Sequence, residues 1–83
     1  MVYADFDGRE IVKALRAMRY RPVGREGSHV KLRYEHPDTD EVRIVTVPLT
    51  DSDQISQATY RSIAEQCGAN NFEAWCRWID ENS

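Results

Sequence analysis

Apolar positions in the first part of the chain follow a helical period. Ile11, Ala14, Leu15 and Met18 fall on one stripe, and Arg9, Lys13 and Arg16 fall on the opposite one at i, i+4 and i+7. The pattern predicts an amphipathic helix over about 8–18 with a cationic outer face. Asp7 is a good N-cap, and Glu10 three residues on completes a capping-box pair. The period then changes to two. Tyr20 to Arg25 reads as a strand, and Pro22 makes it an edge or irregular one. Glu26-Gly27 reads as a hairpin turn, with Gly27 supplying a backbone conformation that other residues avoid. From Ser28 to Tyr34 the alternation is clean. Val30, Leu32 and Tyr34 point one way; His29, Lys31 and Arg33 point the other. His36-Pro37-Asp38-Thr39-Asp40 is a second turn, and Glu41 to Val47 a β-branched third strand that Pro48 stops.

A polar loop over 50–54 leads to a second helix, Gln57 to Cys67, which buries Tyr60, Ile63, Ala64 and Cys67 and ends at Gly68. Asn71 caps a third helix, Phe72 to Glu81, with Phe72, Trp75, Cys76 and Ile79 inward. Trp78 lies off that stripe, placed for packing against the second helix or for an interface. The order α-β-β-β-α plus a C-terminal helix predicts an α+β fold. A three-stranded antiparallel sheet carries its core helices on one face and leaves the other open to a ligand. With 83 residues the chain makes one domain over 1–83, with a core at 7–68 and a helical extension at 71–82.

Charge changes this picture. The net charge is −3, which by itself argues against a nucleic-acid partner. Its distribution argues for one. Residues 9–33 hold eight basic and two acidic residues, whereas 34–83 hold three basic and ten acidic. A phosphate chain responds to the local field, not the sum. No apolar run is long enough to span a bilayer, and the first residues, Met1 to Asp5, show no leader pattern, so the expected location is the cytoplasm. Cys67 and Cys76 match no zinc or redox spacing and read as small buried hydrophobes.

His29 is the informative side chain. It follows a glycine turn, opens a strand, and shares a face with two cations. A histidine titrates near neutral pH. It can take the proton from a ribose 2′-hydroxyl or give one to a leaving 5′-oxygen. Lys31, Arg33 and the helix cations Arg9, Lys13 and Arg16 can hold phosphate and stabilise the charge of a pentacoordinate transition state. Ser28 is a turn residue without a companion base to make it a nucleophile. His36 belongs to its turn, and no metal-ligand spacing or glycine-rich phosphate loop is present.

Several blocks together resemble the HicA family of toxins, mRNA interferases of type II toxin–antitoxin systems. These are the opening helix Gly8-Arg-Glu-Ile-Val-Lys-Ala-Leu, the turn Gly27-Ser28-His29, the turn His36-Pro37-Asp38, the strand Ile44-Val-Thr-Val-Pro48, and Ala58-Thr59-Tyr60-Arg61-Ser62-Ile63. The resemblance covers about 8–68. It implies a double-stranded-RNA-binding-domain-like αβββα fold, endonucleolytic cleavage of mRNA, and neutralisation by a HicB-type antitoxin; a histidine with cations can serve internal 2′-hydroxyl attack, so no metal or cofactor is expected. The family's essential histidine falls on His29. Family members often carry a further histidine after the Val-Pro that ends the third strand; here Leu49 stands there. The alternative reading is a non-catalytic RNA-binding module of the same fold. A third is a protein-interaction domain whose basic face meets an acidic partner.

Overall fold

The computed structural model describes residues 3–83. Met1 and Val2, the first two residues of the stretch that shows no leader pattern, lie outside the described residues. The order is α1 (Gly8–Ala17), β1 (Arg21–Glu26), β2 (His29–Glu35), β3 (Val42–Pro48), a short 3-10 turn (Ser52–Gln54), α2 (Gln57–Gln66) and α3 (Phe72–Asn82). The strands form one antiparallel sheet in the order β1-β2-β3. This is the α+β arrangement that the periodicities predict.

The sheet is two-sided. Val30, Leu32, Val45 and Val47 are buried on the helix side, against Ile11, Leu15, Tyr60, Ile63 and Ile79. Each β2 residue sits opposite its partners with side chains on the same face. The rows Glu26–His29–Pro48, Gly24–Lys31–Thr46 and Arg21–Arg33–Ile44 therefore cross the open face. β1 is an edge strand, exposed throughout, and its register shifts between Pro22 and Gly24. That irregularity is what a proline without an N–H imposes on a ladder.

Contacts at the strand ends position α1. Asp7 Oδ1 accepts from Ser52 N–H at 2.7 Å, and Asp7 N–H donates to Glu10 Oε1 at 3.1 Å. The cap therefore also holds the loop after β3. Gly8 is buried, its N–H donates to the Thr50 carbonyl at 2.9 Å, and any Cβ there would run into the Pro48 carbonyl. The start of α1 is thus pressed against the end of β3, beside His29.

The other end of α1 corrects the sequence reading. Met18 is 44 % exposed, not part of the buried stripe. The helix stops at Ala17, and Arg19 takes a left-handed φ of 71°. Arg19 N–H donates to the Arg16 carbonyl (3.2 Å) and Tyr20 N–H to the Leu15 carbonyl (3.0 Å), a Schellman closure. Tyr20 takes the inward place that Met18 was expected to fill, and stacks on Tyr34 with ring centroids 5.1 Å apart. α2 closes the same way at Gly68, whose φ is +78°.

α3 is integral to the core. Trp75, Cys76 and Ile79 are buried in the same cluster as the strands, and α3 packs chiefly along α1. Trp78 is half-buried. The N-terminal segment also contributes where no periodicity marked it. Ala4 and Phe6 are buried, and the Tyr60 hydroxyl donates to the Phe6 carbonyl at 2.7 Å and accepts from its N–H at 3.1 Å.

Candidate nucleic-acid interface

The turn that carries His29 is a two-residue hairpin loop. Glu26 and His29 are its flanking pair, and Gly27 and Ser28 its centre. Gly27 has a φ of +61°, while Ser28 stays out of the left-handed region. Glycine at the first central position is what a type II′ hairpin turn requires. Two bonds hold the loop. Arg25 Nε–H donates to the Gly27 carbonyl (3.2 Å), and the Ser28 carbonyl accepts from Leu49 N–H (2.5 Å). The second fixes the turn to the chain leaving β3, where α1 begins.

His29 is exposed on the open face, between Glu26 of β1 and Pro48 of β3. A groove of about 300 Å³ runs beside it, lined by Val23, Gly24, Arg25, Glu26, His29, Lys31 and Thr46. Lys31 lies in the next row and shares the groove. Arg33 lies a further row along, outside it, with Nε 2.9 Å from Glu35 Oε1 at an angle that makes an ion pair and not a hydrogen bond. Part of its charge is answered within the chain. The same row adds Arg21, a cation directly opposite Arg33 that strand periodicity did not single out. That row also holds the exposed Ile44, and in the row beyond it Val42 is exposed opposite Glu35.

Arg9, Lys13 and Arg16 are exposed on the outer side of α1. They line a separate hollow of about 500 Å³ with Val12, Ala17 and Asn82. The expected site residues thus divide into two surfaces that share no lining residue. The meeting point is the Gly8–Pro48 contact, at the His29 end of the sheet. His36 stands just past the other end of β2, about 20 Å away at the usual rise per strand residue. Its Nδ1 accepts from Asp38 N–H at 3.1 Å, so it serves its own turn.

Glu26, the one acid of the groove's wall, was missed at the sequence level. It faces His29 because the two-residue loop is Gly27-Ser28, one residue later than the Glu26-Gly27 turn read from the sequence, so Glu26 ends β1 instead of entering the turn. Arg25, Val23 and Thr46 depend on the bulge and on the β2–β3 register, which no local pattern encodes.

A third concavity, of about 470 Å³, opens on the helix side between α3 and the β2–β3 hairpin. Tyr20, Tyr34, Trp75 and Trp78 form much of its wall, with Arg43 and Cys67. Burial pushes the Tyr20 phenol up to about 12, with the neighbouring Cys67 adding to the shift, and burial raises the Cys67 thiol as well. Arg43 spans the floor, donating to the Cys67 carbonyl and to Glu41 Oε1. Neither His29 nor any cation of the open-face groove touches this cavity. Among the described residues, no helix is long and apolar enough to cross a membrane.

Comparison with curated proteins and with solved structures gives no match. The family model described as the HicA toxin of bacterial toxin–antitoxin systems matches residues 8–69, from the start of α1 to the turn after α2. The chain, with its exposed Gly27-Ser28-His29 hairpin and the α1-β-β-β-α2 core behind it, belongs to the HicA toxin family.

Proposed function

We propose that the protein is an endoribonuclease that cleaves mRNA, with His29 as general base or general acid. The observation that carries this reading is the placement of His29. It is exposed, it flanks a tight turn on the open sheet face, and Lys31 stands in the same groove. The ribose 2′-hydroxyl is the internal nucleophile that RNA has and DNA lacks. A histidine can take its proton or protonate the leaving 5′-oxygen. Lys31 stabilises the charge gathering on phosphorus, Arg33 adds attraction at longer range from the next row, and the turn residues Gly27 and Ser28 let the backbone approach the strand. RNA flanking the cut continues round the Gly8 end to Arg9, Lys13 and Arg16. In the cytoplasm a HicB-type antitoxin neutralises the toxin by covering the His29 face.

The test is His29→Ala. The ring is exposed and outside the core, so the variant keeps the fold. Its cleavage of RNA falls by about a hundredfold or more, the usual cost of losing a general acid or base, and growth arrest on expression is lost. Cleavage at the wild-type rate by folded His29→Ala would exclude this mechanism. Salt-sensitive RNA binding by the wild type without any product would favour the non-catalytic RNA-binding module instead.

A further inference from the structure

Cleavage of RNA by internal attack moves two protons. One leaves the 2′-hydroxyl as its oxygen bonds to phosphorus. The other arrives on the 5′-oxygen as the P–O5′ bond breaks. A single histidine serves one of these at a time. The chain has two histidines, and His36 stands beyond the far end of β2. A second proton-transfer group supplied by this chain would therefore be another side chain of the groove.

The side chain opposite His29 is a carboxylate. Glu26 and His29 are a directly facing cross-strand pair, which places their Cβ atoms about 5 Å apart on one face of the sheet. Both line the same groove. Glu26 is the one acid among the lining residues, and among the described residues it forms no ion pair. Arg25 beside it is turned to the Gly27 carbonyl. The charged groups facing His29 are Arg25 and Glu26 from β1 and Lys31 from β2; β3 contributes only the uncharged Thr46 and Pro48. A carboxylate in a groove that must hold phosphate repels its substrate. That cost is offset if the acid takes part in the reaction.

We propose that Glu26 and His29 are the base and acid of one cleavage step, a proposal that rests on the endoribonuclease reading above. The Glu26 carboxylate accepts the 2′-hydroxyl proton while the 2′-oxygen attacks phosphorus. The His29 imidazolium gives its proton to the 5′-oxygen as that bond breaks. The products are a 2′,3′-cyclic phosphate and a free 5′-hydroxyl. The enzyme is left as glutamic acid and neutral imidazole, and exchange with water resets both. Lys31, one row along, faces the extra negative charge of the transition state.

Two substrates separate the roles. One is a short RNA. The other is the same RNA with sulfur in place of the bridging 5′-oxygen, whose thiolate leaves without needing a proton. Single-turnover cleavage is measured for wild type, Glu26→Gln and His29→Ala, with thermal melting to confirm that both exposed-site variants stay folded. On the oxygen substrate each variant slows by about a hundredfold or more. On the sulfur substrate His29→Ala recovers to within about tenfold of wild type, because the step it has lost is no longer required, and Glu26→Gln does not recover. Glu26→Gln cleaving the oxygen substrate within about threefold of wild type overturns the assignment, as does sulfur rescue of Glu26→Gln or failure to rescue His29→Ala. In each of these outcomes a dead His29→Ala leaves the endoribonuclease reading standing. A His29→Ala variant that cleaves the oxygen substrate at the wild-type rate overturns that reading as well.

Discussion

Two cations one strand row apart illustrate how little residue type alone decides. Lys31 and Arg33 alternate in phase and look equivalent in the sequence. In the structure Lys31 lines the His29 groove, whereas Arg33 lies outside it with Glu35 Oε1 2.9 Å from its Nε. A phosphate that approaches His29 meets Lys31 directly, and would draw Arg33 away from a partner it already has. A hydrogen bond to a charged group contributes about 1.5–3 kcal/mol, so Lys31→Ala lowers kcat/KM for RNA by about tenfold or more. Arg33→Ala, its charge already shared, changes kcat/KM by about threefold or less. Equal losses in the two variants would show that Arg33 leaves Glu35 to join the phosphate. Val30 and Leu32 were legible from the same alternation because burial enforces it; Glu26 was not, because its role depends on what faces it across the hairpin.

At the scale of elements, the sequence pattern located all three helices and all three strands to within a residue or two at most boundaries. Amphipathic period, caps and the Gly68 stop are local signals, so they survive folding. The exceptions are places where a distant contact decides. Met18 continued the apolar stripe of α1, yet the chain turns away one residue earlier because Arg19 adopts the left-handed conformation and Tyr20 enters the core. Nothing in an arginine advertises that turn; a glycine would have. The same comparison yields a stability prediction. Gly68 closes α2 at φ +78°, while Arg19 closes α1 at φ 71° with a Cβ that this region disfavours. Arg19→Gly relieves that strain but gives the unfolded chain more freedom, so the net gain is about 0.5–1 kcal/mol. For a domain of this size that raises the melting temperature by a few degrees. A fall in melting temperature would mean that the Arg19 side chain contributes more than its backbone conformation costs.

The whole molecule presents its expected RNA-binding cations on two surfaces, and the charge split along the sequence could not show this. The run from Arg9 to Arg33 reads as one basic segment, but folding sends Arg9, Lys13 and Arg16 to the outer side of α1 and Lys31 and Arg33 to the open sheet face. One strand of RNA that passes the end where Gly8 meets Pro48 reaches both. Salt dependence measures whether it does. Each phosphate neutralised on single-stranded RNA contributes about −0.7 to the slope of log K against log salt. Using His29→Ala so that the RNA stays intact, binding through Lys31 alone gives a slope of about −0.7, and binding through Lys31 with the three α1 cations about −2.8. If the RNA wraps, replacing Arg9, Lys13 and Arg16 together with alanine flattens the slope by about 2 and weakens binding most at low salt. An unchanged slope in that triple variant would confine the RNA to the sheet face and leave the α1 surface free for a different partner. The acidic residues from Glu35 onward then act at longer range: they lower non-specific attraction to nucleic acid over the rest of the molecule, so the basic surfaces near His29 dominate where RNA first lands.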